Sequence, residues 1–343
     1  MRKIQQMLNQ GRRTPFDYLF LLRPTLLVPV WTFLLLGYYW GSRVDSESGL
    51  WKLEDGITFI KGLFSSINFN FQISNFQSPF LWAFLLYSCL MGGVYILNQI
   101  ADRETDRINQ KLFLLSLGII PLSFAYLEMG ILFACALLLS FFIFQFSFFS
   151  GFVLLSLLVG ILYSFPPLKL KGRPFMDLLS NSIGFGFINF STGWLTIAPF
   201  SHATVFHSIP YVLSVGAVFL YTTLPDIEGD EKAGDRTTGV LLGRRKSGFL
   251  GVILLLSALL SSLSIGDPFC MTVAILALPL FLLGIWKDEM RFYLLSIRIS
   301  APLLVLWTAV LFPLFFILLG ITLLSMRIYY QKRFGFPYPS IFS

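Results

Sequence analysis

Apolar runs long enough to cross a bilayer recur nine times along these 343 residues, and no other feature restricts the fold so severely. A transmembrane helix needs about 20 consecutive apolar residues. The runs fall at 18–40, 79–101, 119–141, 149–165, 177–198, 208–225, 248–265, 268–286 and 299–325. They are continuous and do not alternate with period two, so the spans are helices and not the strands of a barrel. Charged residues are 13% of the chain and collect between the runs, which excludes a soluble globular class. The expected fold is all-α, a polytopic transmembrane helical bundle of about nine spans. Residues 1–343 read as one integral membrane domain, with a basic cytoplasmic segment at 1–17 and a tail at 326–343. The first fifteen residues are polar and basic and lead into a run of full spanning length, so no cleaved leader is expected.

The stretch 113–165 has no strong polar break; two spans joined by a hairpin near Gln145 to Gly151 fit its length best. Orientation follows from the cations. One side carries Arg2, Lys3, Arg12, Arg13 and Arg23, then Arg103, Arg107 and Lys111, then Lys169, Lys171 and Arg173. The sixth connection adds Lys232, Arg236, Arg244, Arg245 and Lys246, and the eighth adds Lys287, Arg291 and Arg298, giving that side 19 of the 25 Lys and Arg. The positive-inside rule therefore places the N-terminus and the even-numbered connections in the cytoplasm, with the plasma (inner) membrane as the expected location. Arg43, Lys52 and Lys61 fall on the other side. Nine spans also leave Arg327, Lys332 and Arg333 outside, against the rule; a re-entrant or interfacial last segment is the alternative.

The net charge of +7 comes from residues at the ends of apolar runs, so it reports topology and not nucleic-acid binding. Cys89, Cys135 and Cys270 lie in or beside apolar segments without CxxC spacing and are assigned to packing. His202 and His207 fall in a short outer connection without carboxylate partners, so no metal site is expected there. Glu128, two turns into the third span, reads equally as an intramembrane functional acid or as a side chain reaching the interface.

Two acidic constellations follow the second and sixth spans. In the first, Asn98, Asp102 and Asp106 are spaced by four, which brings them onto one helix face while Glu104 points elsewhere. In the second, Asp226 and Asp230 repeat the spacing, with Gly229 and Gly234 beside them. Like charges four apart repel, so keeping them at a membrane boundary calls for a cation between them or for full hydration. Either cluster alone reads as easily as a solvated loop. Both together, on the same side, suit Mg²⁺, which takes one or two carboxylates and leaves its other positions to water and substrate phosphates. A third element, Tyr163-Ser-Phe-Pro-Pro-Leu-Lys169-Leu-Lys171-Gly-Arg173, ends the fourth span with paired prolines and three cations. Those cations suit a diphosphate and serve equally as a positive-inside anchor. In the fifth span, Asn181, Asn189, Ser191 and Thr192 accompany Gly184, Gly186 and Gly193, a pattern that fits a chamber lining or close helix packing.

These motifs resemble the UbiA-type intramembrane prenyltransferase superfamily, whose signatures are N-x-x-x-D-x-x-x-D after the second helix and D-x-x-x-D after the sixth. The resemblance also takes in Arg23-Pro24, the Tyr163-to-Lys169 segment and the run from Asp226 through Gly243, and extends from about residue 20 to 320. It implies that Asn98, Asp102, Asp106, Asp226 and Asp230 ligate Mg²⁺ and a diphosphate, that Lys169 holds or activates the diphosphate, and that Tyr163, Lys171, Arg23 and Asn189 contribute to substrate binding. It further implies a chamber opening to the cytoplasmic side, a polyprenyl diphosphate donor, a lipophilic acceptor and release of pyrophosphate. Gln99 stands where many members have Asp, a form shared with the chlorophyll-synthase-like branch, as is Tyr-Ser-x-Pro-Pro-Leu-Lys-Leu-Lys. The stretch from Lys111 to Ser116 lacks that branch's Arg-Pro-Leu-Pro-Ser-Gly run, so the departures concern the acceptor. A membrane transporter of Mg²⁺ or an organic anion is the alternative function; confinement of the acidic clusters to one side favours the enzyme.

Overall fold

A computed structural model describes residues 13–43, 78–108, 112–336 and 338, and the regular structure among them is helical. Arg2, Lys3 and Arg12 of the basic N-terminal segment, the loop cations Lys52 and Lys61, Lys111 and tail residues 339–343 lie outside the described residues. The first part of the chain forms α1 (Pro15–Leu21), α2 (Pro24–Gly41), α3 (Ser78–Ala101), α4 (Arg103–Ile108), α5 (Phe113–Ser116), α6 (Leu122–Phe144) and α7 (Phe148–Ser164). A π-helical segment, Gly184–Asn189, separates α8 (Met176–Ile183) from α9 (Phe190–Trp194). Then come α10 (His202–Thr223), α11 (Ile227–Ala233), α12 (Thr238–Ile265), α13 (Pro268–Lys287), α14 (Met290–Leu311) and α15 (Pro313–Phe334).

Among the described residues, seven helices are long and apolar enough to cross a membrane, and an eighth span results if α1 and α2, bent by 47°, count as one. The polytopic helical bundle expected from the sequence is the fold observed. Local chemistry sets its boundaries. Arg23, at φ 53°, separates α1 from α2, and Pro24 opens α2 where a missing N–H costs no hydrogen bond. Gln145, at φ 57°, turns the chain between α6 and α7 where the hairpin was expected. Gly234 ends α11 in the left-handed region.

Five spans differ from the sequence reading: the first is bent between α1 and α2, and the seventh begins earlier, at Thr238. The last, 299–325, is two helices: Pro313 disfavours helical backbone at Phe312, so α14 stops at Leu311 and α15 starts afresh. The fifth is broken by the π segment. The sixth begins earlier, at His202, so His207 is not in a loop: it is buried in α10 and stacks on Trp40, with ring centroids 4.5 Å apart.

The helices group into two compact units. Among the described residues, unit 1 comprises 13–31, 84–108, 112–164, 313–336 and 338, and unit 2 comprises 32–43, 78–83 and 165–312. In unit 1, Phe20, Leu21, Ile96, Leu115, Met326 and Tyr330 are among the buried core residues. Asp17 is fully buried there, accepting the Thr14 N–H at 2.8 Å, the Tyr329 hydroxyl at 2.5 Å and the Arg333 guanidinium at 3.1 Å. The start of α1 and the end of α15 therefore lie on the same side. That removes the conflict with the positive-inside rule that nine spans created: Lys332 and Arg333 sit with the chain's N-terminal side.

In unit 2, the Tyr221 hydroxyl on α10 donates to the carbonyls of Gly248 on α12 (3.2 Å) and Phe281 on α13 (3.1 Å), tying three helices at one buried point. The second half of α2 packs backbone to backbone against α9. A Cβ on Gly37 would lie 1.8 Å from the Phe190 carbonyl oxygen, and one on Gly193 would lie 1.9 Å from that of Leu34. Only hydrogen fits at either position, as in other close packings of membrane helices.

Candidate active site

The first aspartate motif is a helical continuation of α3 in unit 1. The Asp102 N–H donates to the Asn98 carbonyl at 2.9 Å and the Asp106 N–H to that of Asp102 at 2.8 Å, so spacing by four does align the three residues on one face. The Asn98 Nδ2 donates to the Ser164 hydroxyl at 3.3 Å, holding the amide against the end of α7 beside half-buried Tyr163. Asp102 and Asp106 are half-buried, and Glu104 is exposed with a loose partner in Arg107 at 3.9 Å. Gln99 faces away from this row. It is buried, and its Nε2 donates to the carbonyls of Leu21 (2.8 Å) and Tyr95 (3.0 Å), so the residue that departs from the family pattern fixes α3 to α1. Arg23 lies half-buried at the α1–α2 bend.

The second motif and the cationic turn come together in unit 2. After α7 the chain passes through the Pro166–Pro167 pair into a 3₁₀ turn, Leu170–Gly172, with Lys169 at φ 37° just before it. Lys169 Nζ donates to both Asp235 carboxylate oxygens, at 2.7 and 3.0 Å. The Arg236 N–H donates to the Gly172 carbonyl at 3.1 Å, and the Phe175 N–H to the Thr238 hydroxyl at 2.7 Å. Asp177, buried in the first turn of α8, accepts the Thr238 N–H at 2.8 Å and the Thr238 hydroxyl, besides the Leu178 N–H at 2.8 Å. Residues 169–177 are thus stitched along residues 235–238.

The same strip is anchored to the second aspartate motif. The Asp235 N–H donates to the Asp230 carbonyl at 3.0 Å, and the Thr237 hydroxyl donates to Asp230 Oδ2 at 3.2 Å while capping α12 at the Val240 N–H. Asp226 is exposed one turn before half-buried Asp230. Lys171 lies on the 3₁₀ turn, whereas Asn189 is buried at the end of the π segment. Sequence reasoning passed over Asp177 and Thr238, and it placed Asp235 and Thr237 in the second acidic run without giving either a partner. Nothing in the sequence pairs Asp177 with a threonine 61 positions later.

Among the described residues, no three His, Cys, Asp or Glu side chains form a ready metal cage. The donors present are carboxylates and one amide, all oxygen ligands, spaced by four: three in unit 1 and two in unit 2. That set fits a hard ion such as Mg²⁺, which needs only one or two carboxylates because substrate phosphates and water complete its shell.

Residues 66–293 match the model of the UbiA prenyltransferase family. The chain is 29% identical over 206 residues to the probable homogentisate phytyltransferase 2, chloroplastic, of Oryza sativa subsp. japonica, a likeness covering 57% of this chain and 54% of the relative. The chain thus spans about half the length of that relative. A structure described as digeranylgeranylglyceryl phosphate synthase in membranes superposes with a TM-score of 0.61 at 20% identity, covering 91% of this chain and 98% of the other. A UbiA homolog from Archaeoglobus fulgidus bound to GPP and Mg²⁺ gives a TM-score of 0.55 at 21% identity over 86% of this chain and 99% of the other. These structural likenesses carry the fold, and the family model carries the classification: the chain belongs to the UbiA prenyltransferase family.

Proposed function

We propose that the protein is a Mg²⁺-dependent intramembrane prenyltransferase that moves a prenyl group from a polyprenyl diphosphate to an aromatic or other lipophilic acceptor, releasing pyrophosphate. The observation that carries this reading is the joining of Lys169 to the second aspartate motif in unit 2. A cation and a carboxylate pair on one rigid strip are what a metal-bound diphosphate requires. Family membership favours this reading over a transporter.

Asp102 and Asp106 with Asn98 in unit 1, and Asp226 with Asp230 in unit 2, are each proposed as Mg²⁺ ligands. When bound, Mg²⁺ neutralises the diphosphate and makes it a better leaving group. Lys169 adds a positive charge where negative charge grows as the allylic C–O bond lengthens, and such preorganised charge is often the largest catalytic term. Tyr163, Lys171, Arg23 and Asn189 are proposed to orient the substrates. The apolar helices exclude water, so the carbocation-like centre is captured by the acceptor and not hydrolysed. The aspartates bind what every donor shares, and the apolar walls select chain length and acceptor. The active side is assigned to the cytoplasm from the distribution of Lys and Arg.

The test is pyrophosphate release by the purified protein in lipid, given geranylgeranyl diphosphate and a pool of acceptors, with mass spectrometry of the product. Mg²⁺-dependent release, lost in Asp102→Ala and in Asp226→Ala, is the expected result. No release by folded protein across several prenyl lengths and acceptors would sink the proposal.

A further inference from the structure

We infer that Asp235 is an internal counter-ion that occupies Lys169 until a diphosphate displaces it, and that this exchange sets the affinity for the donor. The inference rests on the proposed function and concerns how the same site is regulated by its own residues. Both carboxylate oxygens of Asp235 meet the Lys169 ammonium, at 2.7 and 3.0 Å, so two of its three N–H donors are taken. A diphosphate offers the same ammonium the same kind of acceptor oxygens with more negative charge.

The pairing is built into the backbone on both sides. Lys169 holds a left-handed conformation at φ 37°, and the Asp235 N–H is bonded to the Asp230 carbonyl at 3.0 Å. At Gly172 a Cβ would lie 2.7 Å from Asp235 Oδ1, so the absence of a side chain there makes room for the carboxylate. The Arg236 N–H bond to the Gly172 carbonyl fixes that approach.

The pair is also loose enough to exchange. The side chains of Lys169 and Asp235 are 40% and 27% exposed, and ion pairs with such access to water are weak. After exchange, Asp235 remains close to the incoming phosphate and repels it. It therefore lowers the affinity for donor and for product pyrophosphate alike, and it promotes pyrophosphate release by recapturing Lys169. Asp235 is a positioning residue that acts through Lys169.

The experiment is calorimetric titration of inorganic pyrophosphate, in Mg²⁺, into the full chain reconstituted in nanodiscs. It compares the wild type with Asp235→Asn, Asp235→Ser, Lys169→Met and the Lys169→Met/Asp235→Asn double variant, each checked for an unchanged melting temperature. Both Asp235 variants should bind about fivefold tighter, which is about 1 kcal/mol at 1.4 kcal/mol per decade. In the Lys169→Met background the gain should vanish. Equal or weaker binding by both Asp235 variants overturns the inference, as does a gain that persists without Lys169. If folded wild-type protein shows no Mg²⁺-dependent pyrophosphate binding, the proposed function itself fails and the exchange falls with it.

Discussion

Replacing Asp177 by alanine should unpin the cationic turn from the second aspartate motif. The carboxylate accepts the Thr238 N–H at 2.8 Å and the Thr238 hydroxyl, and both residues are buried. Hydrogen bonds to a charged acceptor contribute about 1.5–3 kcal/mol each, and the variant also strands the Thr238 N–H without a partner. A loss of about 3–5 kcal/mol in stability follows for Asp177→Ala. Thr238→Val removes the hydroxyl bond and also the acceptor of the Phe175 N–H, at a cost of about 2 kcal/mol. Because the two residues share a bond, the double variant should show a coupling of about 1–2 kcal/mol. Reversible unfolding in mixed micelles measures the stabilities. Pyrophosphate release measures activity, and kcat/KM should fall about 10- to 100-fold in Asp177→Ala as Lys169 loses its position. Additive stability effects together with unchanged kcat/KM would refute the reasoning.

Other outcomes follow from single contacts. Arg333→Ala leaves the Asp17 carboxylate buried without its cation and should cost about 3–5 kcal/mol in thermal or denaturant unfolding. Gly193→Val, whose Cβ would lie 1.9 Å from the Leu34 carbonyl oxygen, forces α2 and α9 apart and should reduce folded yield and melting temperature well beyond the effect of Gly184→Val, where space is open. Asp267, buried between α12 and α13, has its carboxyl pushed up by burial to about 6. The folded value exceeds the unfolded one, so this contribution to stability is complete below about pH 4 and is lost as pH rises through 6. Melting temperature should therefore fall between pH 4 and pH 7 in the wild type, and Asp267→Asn should flatten that slope; an identical slope in the variant would remove Asp267 as its source.

The parts of this molecule that were legible in the sequence are those governed by local periodicity. Apolar length identified the helices, and spacing by four placed Asn98, Asp102 and Asp106 on one face because they continue a single helix. The break at Phe312 was hidden because Pro313 stands within an unbroken apolar run, where hydropathy carries no signal of the missing N–H. Gln99 appeared to be a departure in the site, yet its side chain turns inward to backbone carbonyls, a direction fixed by the neighbouring α1. Asp17 and Arg333 stand 316 positions apart, and Asp177 and Thr238 stand 61 apart. A carboxylate at a helix start looks the same in sequence whether it caps its own turn or anchors another segment. Contacts of that range require the fold.

The most direct test of the central claim is binding of a non-hydrolysable geranylgeranyl diphosphate analogue to the full chain in nanodiscs, titrated with and without Mg²⁺. It would compare the wild type with Asp102→Asn/Asp106→Asn and with Asp226→Asn/Asp230→Asn. The account requires Mg²⁺-dependent binding in the wild type and a loss of at least about 100-fold in each double variant, close to 3 kcal/mol. Undiminished Mg²⁺-dependent binding in either variant, with the protein folded, would contradict it.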